Sequence, residues 1–443
     1  GVKEGACQPK DFRLISLQNC PVKIITKVLT IRLQRFIQHL VDVDQTGFVK
    51  GRSISENFVY ATELVQHCHR KKIPTIVLKL DFAKAFDSVA WGSLLTVLQA
   101  RNFPPIWISW MKQLLVTSHS AVLVNGCPGR WIKCKRGVRQ GDALSPYLFL
   151  LVADVLQQMI KQDQGVRHPA VDSSCPVLQY ADNTLLLVHA EITDVRRLKK
   201  ILDDFASASG LKINFSKSTL VPTHVPAQRL QRIVRLLQCQ LGAFPQTYLG
   251  LPLSNVKLNL SAFAPLISKA DRRLAGWQAT LLNHQGCLVL INSVLDRLTT
   301  YLMQALVLPP GIIDKLDSRR RAFLWSGTDK ASGAQCLVRW ENAQKPKEVG
   351  GLGIRSLVTQ NACLLIKLLH RLHHPDSSAW AVWARQHVDL ASLEGDVVGN
   401  HWGAASLEGD VVGNHWGALR DLLHAYRCIT KVTVGDGRST SFW

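Results

Sequence analysis

Two carboxylates stand where the sequence predicts that strands end. Asp81 closes the β-rich run TIVLKLD (75–81), and Asp182 lies at the tip of a predicted hairpin, VLQYADNTLLLV (177–188). Neighbouring strands of a sheet can bring two such positions together, although they are far apart in the chain. Carboxylate oxygens are the hard ligands that Mg²⁺ prefers, and paired metal ions catalyse nucleotidyl transfer. The alternative is that both acids are ordinary polar residues at strand ends.

The elements around these acids indicate a fold that mixes sheet and helix. A helical stretch, 90–102, follows the first strand. SAVLVNGCPGRWIKCK (120–135) then predicts a hairpin that turns at Asn125-Gly126 or at the residues just after it. This order of strand, helix and hairpins favours an α+β fold.

Further helices are predicted on both sides of this region. Apolar periodicity predicts them at 24–41, with cations on the opposite face, at 145–162, with Ser145 as N-cap, and at 194–210. TYLGLPLS (247–254) predicts another strand. Mostly helical patterns fill residues 258–390.

The charge balance narrows the class of partner. The chain has 53 Lys and Arg against 32 Asp and Glu, a formal net charge of +21. A globular protein this basic most often meets a polyanion, and nucleic acid is the leading candidate, with a generically basic protein as the alternative. The longest apolar stretch, 144–156, contains Pro146 and Asp154 and is too short to span a bilayer, so no membrane partner is expected.

Cysteine usage argues for an intracellular protein with reduced thiols. The chain has 11 cysteines, an odd number, and no CxxC pair. This pattern disfavours a disulfide framework and a structural zinc site. The triplet His67-Cys68-His69 is a poor ligand set because neighbouring helix positions point in different directions.

A series of short motifs follows in a fixed order along the chain. They are DFRLISLQN (11–19), GFVKGRSISEN (47–57), LKLDFAKAFDSVAW (78–91), RGVRQGDALSPYLFLLVADVL (136–156), YADN (180–183), GLKINFSKS (210–218) and TYLGLPLS (247–254). Together they resemble the reverse transcriptase region of non-LTR (LINE-type) retrotransposons, most like the plant members. The order and spacing of the whole series are far more specific than YADN alone. The resemblance covers essentially the whole chain.

The resemblance implies a metal site built on the predicted strand ends. Asp81 and Asp182 would bind two Mg²⁺ ions, with Mn²⁺ as the alternative metal, and the backbone carbonyl of Phe82 would complete a metal shell. Asn183 occupies the position of a further catalytic carboxylate.

The resemblance also implies residues that hold the incoming nucleotide. Phe86 is similar to the aromatic residue that excludes a ribose 2′-hydroxyl and so selects dNTPs; its alternative role is core packing. Gln140 can hydrogen-bond the nucleotide, and Gly141 lets the backbone approach it.

Cations complete the implied nucleotide site. Arg13 resembles the residue that chelates the triphosphate, because a guanidinium binds phosphate oxygens in a fork. Arg52 is a further candidate for contact with template or nucleotide, and Lys217 is a candidate proton donor to pyrophosphate.

Two positions depart from the pattern of the family. Arg13-Leu14-Ile15-Ser16-Leu17 replaces RPISL and lacks its proline, which would stiffen the loop. Asn183 stands where the family has the second acid of the hairpin tip, and an amide oxygen brings no negative charge to a metal site. Since metal-mediated charge stabilisation is worth several kcal/mol, a loss of roughly 100-fold or more in rate is expected.

The resemblance implies a right-hand polymerase with a mainly helical C-terminal connector. Residues 1–73 are expected to form the fingers with part of the palm, 74–256 the palm, and 257–335 a thumb of helices. Residues 336–443 are expected to form a connector that leads to a truncated zinc-binding region. Within it, ASLEGDVVGNHWGA occurs twice in tandem (391–418), which indicates a local duplication. The chain is expected to be a fragment that lacks the endonuclease of such elements.

The expected function is RNA-directed DNA synthesis from a 3′-hydroxyl, impaired by Asn183. Its partners would be an RNA template, a DNA primer or nicked target DNA, and dNTPs, in the nucleus or a cytoplasmic ribonucleoprotein. The alternative is a catalytically dead remnant that still binds nucleic acid. A viral RNA-directed RNA polymerase is disfavoured by Phe86 and by the motifs outside the palm.

Overall fold

The computed structural model describes residues 16–171, 175–275, 282–327, 333–374, 378–387 and 414–430. The chain divides into two compact units. The first unit comprises Gly1–Asn57 and His67–Leu249, and the second comprises Phe58–Gln66 and Gly250–Trp443.

A five-stranded sheet forms the centre of the first unit. Its order is β6-β7-β1-β8-β9, with antiparallel neighbours except for the parallel pair β8 and β9. The strands of the unit are β1 Thr75–Leu80, β2 His119–Ser120, β3 Leu123–Val124, β4 Cys127–Pro128, β5 Ile132–Lys133, β6 Val177–Tyr180, β7 Asn183–His189, β8 Thr219–Thr223, β9 Gln240–Leu241 and β10 Gln246–Tyr248.

The first unit also contains helices, most of which contribute to the core of the sheet. They are α1 Cys20–Gln34, α2 Ile37–Leu40, α3 Ile54–Arg70 (whose residues Phe58–Gln66 belong to the second unit), α4 Ala85–Ser88, α5 Trp91–Ala100, α6 Pro105–Val116, α7 Ser145–Gln162, α8 Ile192–Ser209 and α9 Ala227–Leu237. Most of the apolar residues of α7 are buried, as are those of β1 and β7. The core therefore rigidly holds the strand ends that follow Leu80 and precede Asn183.

The predicted helix and strand periodicities are largely confirmed in the first unit. Helix α8 ends at Gly210, whose φ of 79° is the left-handed conformation that favours glycine. Helix α7 has the predicted span, but its N-cap is Leu144 and Ser145 is already helical. The hairpin predicted at 120–135 turns at Asn125-Gly126, as expected.

Helix α1 differs from its prediction in both length and orientation. The predicted helix 24–41 breaks after Gln34 and resumes as α2. Helix α1 buries Thr26, Leu29, Thr30 and Leu33 and exposes an apolar row that includes Ile24, Val28 and Ile31. The buried threonines satisfy their hydroxyls on the helix itself, since Thr30 Oγ1 donates to the Thr26 carbonyl at 2.6 Å.

The second unit is mainly helical. Within the ranges that the structure describes, it has the strand β11 Leu251–Leu253 and the helices α10 Ala264–Ala275, α11 His284–Leu290, α12 Asp296–Met303, α13 Pro310–Trp325, α14 Trp340–Ala343, α15 Leu357–His373, α16 Ala379–His387 and α17 Asn414–Ile429. A π-helical turn, Ile291–Leu295, joins α11 to α12. The single strand predicted at 247–254 is instead two strands, β10 and β11, because Leu249 and Gly250 both have positive φ.

The core of the second unit includes a buried ion pair. Arg320 and Asp296 are almost fully buried, and a guanidinium nitrogen of Arg320 lies 3.0 Å from a carboxylate oxygen of Asp296. Arg320 also pairs with Asp317 at 2.6 Å and lies over the Trp340 ring. These contacts tie α12 to α13 and α14. Of the helices in the described ranges, none combines the length and apolarity needed to cross a membrane.

Candidate active site

The register of the sheet places Asp81 and Asp182 at the same edge. Strands β1 and β7 are antiparallel, with Leu80 opposite Thr184. One residue further along each strand, Asp81 comes level with Asn183, and Asp182 is the next residue. Since directly opposite residues of antiparallel strands have Cα atoms about 4.5–5.5 Å apart, Asp81 lies beside Asn183, and Asp182 is one residue further along the chain. The predicted convergence of these strand ends is confirmed.

The hairpin tip is one residue earlier than the sequence predicted. Tyr180 pairs with Asn183, so Ala181 and Asp182 form the loop and Asn183 begins β7. Ala181 has a φ of 55°, which a two-residue loop of this kind requires. The Asn183 side chain donates to an Asp182 carboxylate oxygen at 3.4 Å.

The backbone of Phe82 is paired just beyond the end of β1. Phe82 lies opposite Ile213 in an isolated antiparallel bridge. The flanking residues make the bonds of this bridge: Asn214 N–H donates to the Asp81 carbonyl, and Ala83 N–H donates to the Lys212 carbonyl. A residue in such a non-hydrogen-bonded pair turns its own N–H and C=O to the other side.

The resulting donor set suits a hard cation. It consists of two carboxylates, the Asn183 amide oxygen and a backbone carbonyl, all oxygen atoms. Asp81 and Asn183 are exposed and Asp182 is half-buried, so a nucleotide can reach them. In the parts of the chain that the structure covers, no group of three or more His, Cys, Asp or Glu side chains could hold a metal. The site therefore has one carboxylate fewer than such a group would provide.

The segment 210–218 supports Asp81 from behind. Asp81 N–H donates to Ser218 Oγ at 3.1 Å, and Ser218 Oγ donates to the Asn214 carbonyl at 2.9 Å. Lys217 is exposed in the same turn, next to Ser218. The structure thus places Lys217 beside the residue that fixes Asp81.

Phe86 is held by the core while part of its surface remains accessible. Its ring stacks on Phe149, with centroids 5.0 Å apart and planes at 17°. Val138 N–H donates to the Phe86 carbonyl at 2.7 Å. Core packing and a role at the site are therefore both compatible with this half-buried ring.

Gln140 and Gly141 lie in the segment that continues from Val138. Gly141 is exposed and has a φ of 95°, a conformation that favours glycine. Ser16 N–H donates to the Gln140 carbonyl at 3.1 Å, so the first described residues meet this segment. Arg13 lies outside the described residues.

Arg52 is used by the chain itself. Its guanidinium donates to the backbone carbonyls of Gln38, Val41, Asp42 and Gln45, with the contact to Gln45 at 2.8 Å. Burial lowers the pKa of Arg52. The residue thus fixes the loop before α3, and a contact with template or nucleotide stays a prediction.

Sequence reasoning missed a buried amide network beneath the hairpin tip. Gln45, Gln157 and Gln179 are each 0 % exposed. Gln45 Oε1 accepts from the Ala181 N–H at 3.0 Å and from the Gly47 N–H at 2.9 Å. The side-chain amides of Gln45 and Gln157 both donate to Gln179 Oε1, at 3.1 and 2.7 Å. Gln45 therefore holds the residue that immediately precedes Asp182.

The backbone of Gln179 extends this network. Its carbonyl accepts from Thr46 N–H at 2.9 Å and from the Asn57 side chain at 3.2 Å. Tyr248 Oη donates to Asn57 Oδ1 at 2.7 Å. A Cβ added to Gly47 would lie 2.6 Å from the Ala181 nitrogen, so the loop approaches the tip as closely as a glycine permits.

Ion pairs fasten the same loop to α7. Lys161 contacts Asp42 at 2.7 Å and Asp44 at 2.6 Å, and the fully buried Asp154 pairs with Arg101. Burial raises the pKa of Asp44. Burial lowers the pKa of Lys161, but attraction to Asp44 and Asp42 outweighs it and leaves that pKa raised. The start of the loop is thereby anchored to α7.

An oxygen-only donor set at a sheet edge, held within a basic α+β unit, is typical of a metal-dependent nucleotidyl transferase. The chain matches the family described as reverse transcriptase (RNA-dependent DNA polymerase) over residues 2–253, more than half of its 443 residues. It belongs to this family. Members of the family use divalent metal ions, and their partner class is nucleic acid with an RNA template.

Similar proteins come from non-LTR retrotransposons, as the motifs predicted. The chain is 27 % identical over 374 residues to the transposon TX1 uncharacterized 149 kDa protein of Xenopus laevis, covering 83 % of this chain and 28 % of that protein. It is 29 % identical over 212 residues to the Pol polyprotein of the type-2 retrotransposable element R2DM of Drosophila melanogaster, covering 48 % and 20 %. The chain thus spans less than a third of the length of each of these two relatives. A plant-like origin stays a prediction.

Solved structures of telomerase are also similar. For the telomerase of Candida tropicalis in complex with a fragment of telomeric RNA, the TM-score is 0.41 at 10 % identity, covering 82 % of this chain and 56 % of that one. For that of Candida albicans the TM-score is 0.35 at 12 % identity, covering 78 % and 54 %. The family assignment rests on sequence.

Proposed function

We propose that this chain is the RNA-directed DNA polymerase region of a non-LTR retrotransposon. The observation that carries the proposal is that the strand ends next to Asp81 and Asp182 lie side by side at one sheet edge. The net charge of +21 supports a nucleic-acid substrate. The expected substrates are an RNA template, a DNA primer or nicked target DNA, and dNTPs.

Asp81, Asp182 and the Phe82 carbonyl are proposed to hold two Mg²⁺ ions, with Mn²⁺ as the alternative. When bound, such ions supply an activated 3′-hydroxyl and charge stabilisation of the leaving pyrophosphate. The amide network holds the Ala181-Asp182 loop, and Ser218 holds the Asp81 backbone. The protein thereby fixes the carboxylates before substrate arrives, which is what positional catalysis requires.

The remaining site residues are proposed to bind the nucleotide. The Phe86 ring, supported by Phe149, would clash with a ribose 2′-hydroxyl, and Gln140 and Gly141 would line the approach. Lys217 would face the pyrophosphate and Arg13 the triphosphate. Arg52 is assigned to folding the loop instead, because its guanidinium binds four backbone carbonyls.

Asn183 is proposed to impair this polymerase. It begins β7 level with Asp81, where a carboxylate would offset the positive charge of two bound cations. An amide in its place leaves the site with two carboxylates. A deficit of several kcal/mol in transition-state stabilisation corresponds to a loss of roughly 100-fold or more in rate.

Primer extension by the purified chain tests both parts of the proposal. The wild-type chain, Asn183→Asp and Asn183→Ala are compared on an RNA template with an annealed DNA primer, with and without Mg²⁺. We expect Asn183→Asp to extend about 100-fold faster than wild type, only with metal and with dNTPs rather than NTPs. Asp81→Asn in the Asn183→Asp background should remove the gain. Equal rates for wild type and Asn183→Asp would contradict the proposed impairment.

The second candidate function is a nucleic-acid-binding remnant without turnover. The observation that favours it is again Asn183. If Asn183→Asp binds primer and template but incorporates no nucleotide, this candidate replaces the first. An intracellular location, in the nucleus or a cytoplasmic ribonucleoprotein, is proposed for either function.

A further inference from the structure

A second hairpin of the first unit projects apolar side chains into solvent. It runs from His119 to Lys133 and consists of β2 paired with β5 and of β3 paired with β4; it is called the exposed hairpin below. Its outward apolar residues and their exposed fractions are Val122 61 %, Leu123 54 %, Val124 61 %, Trp131 66 % and Ile132 60 %. Antiparallel strands ordinarily bury one apolar face, so contiguous exposure of this kind marks an interaction surface.

The charges beside this surface are all of one sign. Residues 119–139 contain no Asp or Glu. They contain the cations Arg130, Lys133, Lys135, Arg136 and Arg139. A surface that combines an exposed indole with cations complements unpaired nucleic acid, which offers base faces for stacking and phosphates for the cations. An apolar protein face would use the side chains but not the full run of positive charge.

The exposed hairpin is fixed in shape despite its exposure. Asn125 and Gly126 both have positive φ, 48° and 85°, as a tight two-residue turn requires. Gly129 N–H donates to the Val122 carbonyl at 2.9 Å, and Cys134 N–H donates to the Ser118 carbonyl at 3.1 Å. A preformed shape lowers the entropy lost when a strand binds.

The chain leads directly from the exposed hairpin to the candidate active site. Gly137 N–H donates to the Val89 carbonyl at 2.8 Å, and Val138 N–H donates to the Phe86 carbonyl at 2.7 Å. The few residues between Trp131 and Val138 span at most about 25 Å when fully extended. One phosphate occurs about every 3.4 Å along a strand. A strand seated at Phe86 therefore reaches Trp131 within about seven nucleotides.

We propose that the exposed hairpin binds single-stranded nucleic acid, with Trp131 stacked on a base and Lys133 and Lys135 on phosphates. The inference rests on the proposed function in one respect, that the bound strand is the template at the active site. Binding itself requires neither catalysis nor metal. A failure of the binding test is therefore distinguishable from a failure of primer extension.

The test measures binding of the full chain to a labelled 20-nucleotide uridine RNA by fluorescence anisotropy, without metal or nucleotides. Trp131→Ala is compared with Trp110→Ala, a matched control on α6 whose indole is 40 % exposed. We expect Trp131→Ala to weaken binding about 5- to 150-fold, the usual effect of losing one stacked base. Trp131→Tyr should retain most of the affinity and Trp131→Leu should not.

The cations are tested through the salt dependence of the same binding. Removing one phosphate contact from a single-stranded complex lowers the slope of log K against log salt by about 0.7. We expect this change for Lys133→Ala and for Lys135→Ala, while Lys112→Ala on α6 leaves the slope unchanged. Circular dichroism checks that each variant folds as the wild type does.

Four results would overturn the inference. Trp131→Ala and Trp110→Ala could weaken RNA binding equally, Trp131→Leu could bind as well as Trp131→Tyr, or the salt slopes could all remain at the wild-type value. Loss of binding to lipid vesicles or to a second copy of the chain by Trp131→Ala, with RNA binding intact, would likewise assign the surface to another partner.

Discussion

The two hairpins of the first unit are built in opposite ways. The hairpin of β6 and β7 carries Asp182 at its tip and rests on buried amides, with Gln45 bonded to the loop backbone. The exposed hairpin rests on its own turn and presents apolar side chains to solvent. The first therefore fixes the position of a reactive group, and the second offers a surface.

This difference separates the demands of catalysis from those of binding. A misplacement of about 1 Å can cost 100-fold in rate, so a catalytic tip gains from many fixed contacts. A strand-binding surface must instead be accessible before its ligand arrives. Substitutions near Asp182 should accordingly change stability and turnover, while those in the exposed hairpin should change affinity alone.

The largest expected effect is a loss of folding stability at low pH, and it arises at the end of β7 that is opposite the tip. His189 N–H donates to the Arg167 carbonyl, and the neighbouring His168 is buried, which lowers its pKa to about 3, with a further contribution from His67. Between this value and its ordinary pKa of about 6.5, the unfolded chain binds a proton that the folded chain does not. Stability is therefore lost as the pH falls through this window, by roughly 3 kcal/mol between pH 7 and pH 4.

Urea unfolding of the wild type and of His168→Gln at pH 7 and pH 4 measures this effect. Other groups also titrate, so the prediction concerns the difference between the two proteins. His168→Gln should lose about 3 kcal/mol less than the wild type over this interval. Parallel pH profiles would contradict a neutral, buried histidine.

The next effect is expected from Gly47→Ala. Its new Cβ would lie 2.6 Å from the Ala181 nitrogen, and because backbone cannot yield as a side chain can, the tip must shift. Measured in the Asn183→Asp background, primer extension should fall about 100-fold with RNA affinity retained. Gly92→Ala on α5 is the matched control, since a Cβ there meets nothing within 4 Å.

A smaller effect is expected from Gln45→Leu. The substitution removes the acceptor of the Ala181 N–H and leaves buried polar groups without partners, at about 1–3 kcal/mol in unfolding free energy. Turnover should fall while the KM for the primer and template stays near its original value. The control is Gln99→Leu, at an exposed position of α5. Equal unfolding free energies for the two variants would contradict a role of Gln45 in holding the tip.

The strands and helices that carry the site were predictable because each has a clear period or a strong end signal. The run 75–81 and the hairpin 177–188 placed Asp81 and Asp182 at strand ends, and the antiparallel register brought them together. Gln45 and Gln179 were not predictable. Gln179 alternates with apolar residues in β6, and this pattern is the same whether its amide is buried in a network or exposed. Gln45 lies in the loop between α2 and α3, where no periodicity indicates burial.

Helix α1 shows that the sequence pattern also fails to predict how a helix packs. Its apolar row predicts a buried face, yet the helix buries threonines and leaves Ile24, Val28 and Ile31 exposed. Periodicity identifies two faces of a helix but not which face the rest of the chain covers. Likewise, the motif sequence did not indicate that Arg52 bonds the backbone, since that role depends on how its own loop folds.

The smallest effect is expected from Trp131→Ala in the exposed hairpin. Trp131 is 66 % exposed, so Trp131→Ala removes little packing from the folded chain. Its free energy of unfolding should lie within about 0.5 kcal/mol of the wild type, as for other surface substitutions. Thermal or urea unfolding without nucleic acid measures this value. A loss comparable to that of Gln45→Leu would show that the exposed hairpin, like the catalytic tip, is built into the core, and would remove the distinction between a positioned hairpin and an accessible one.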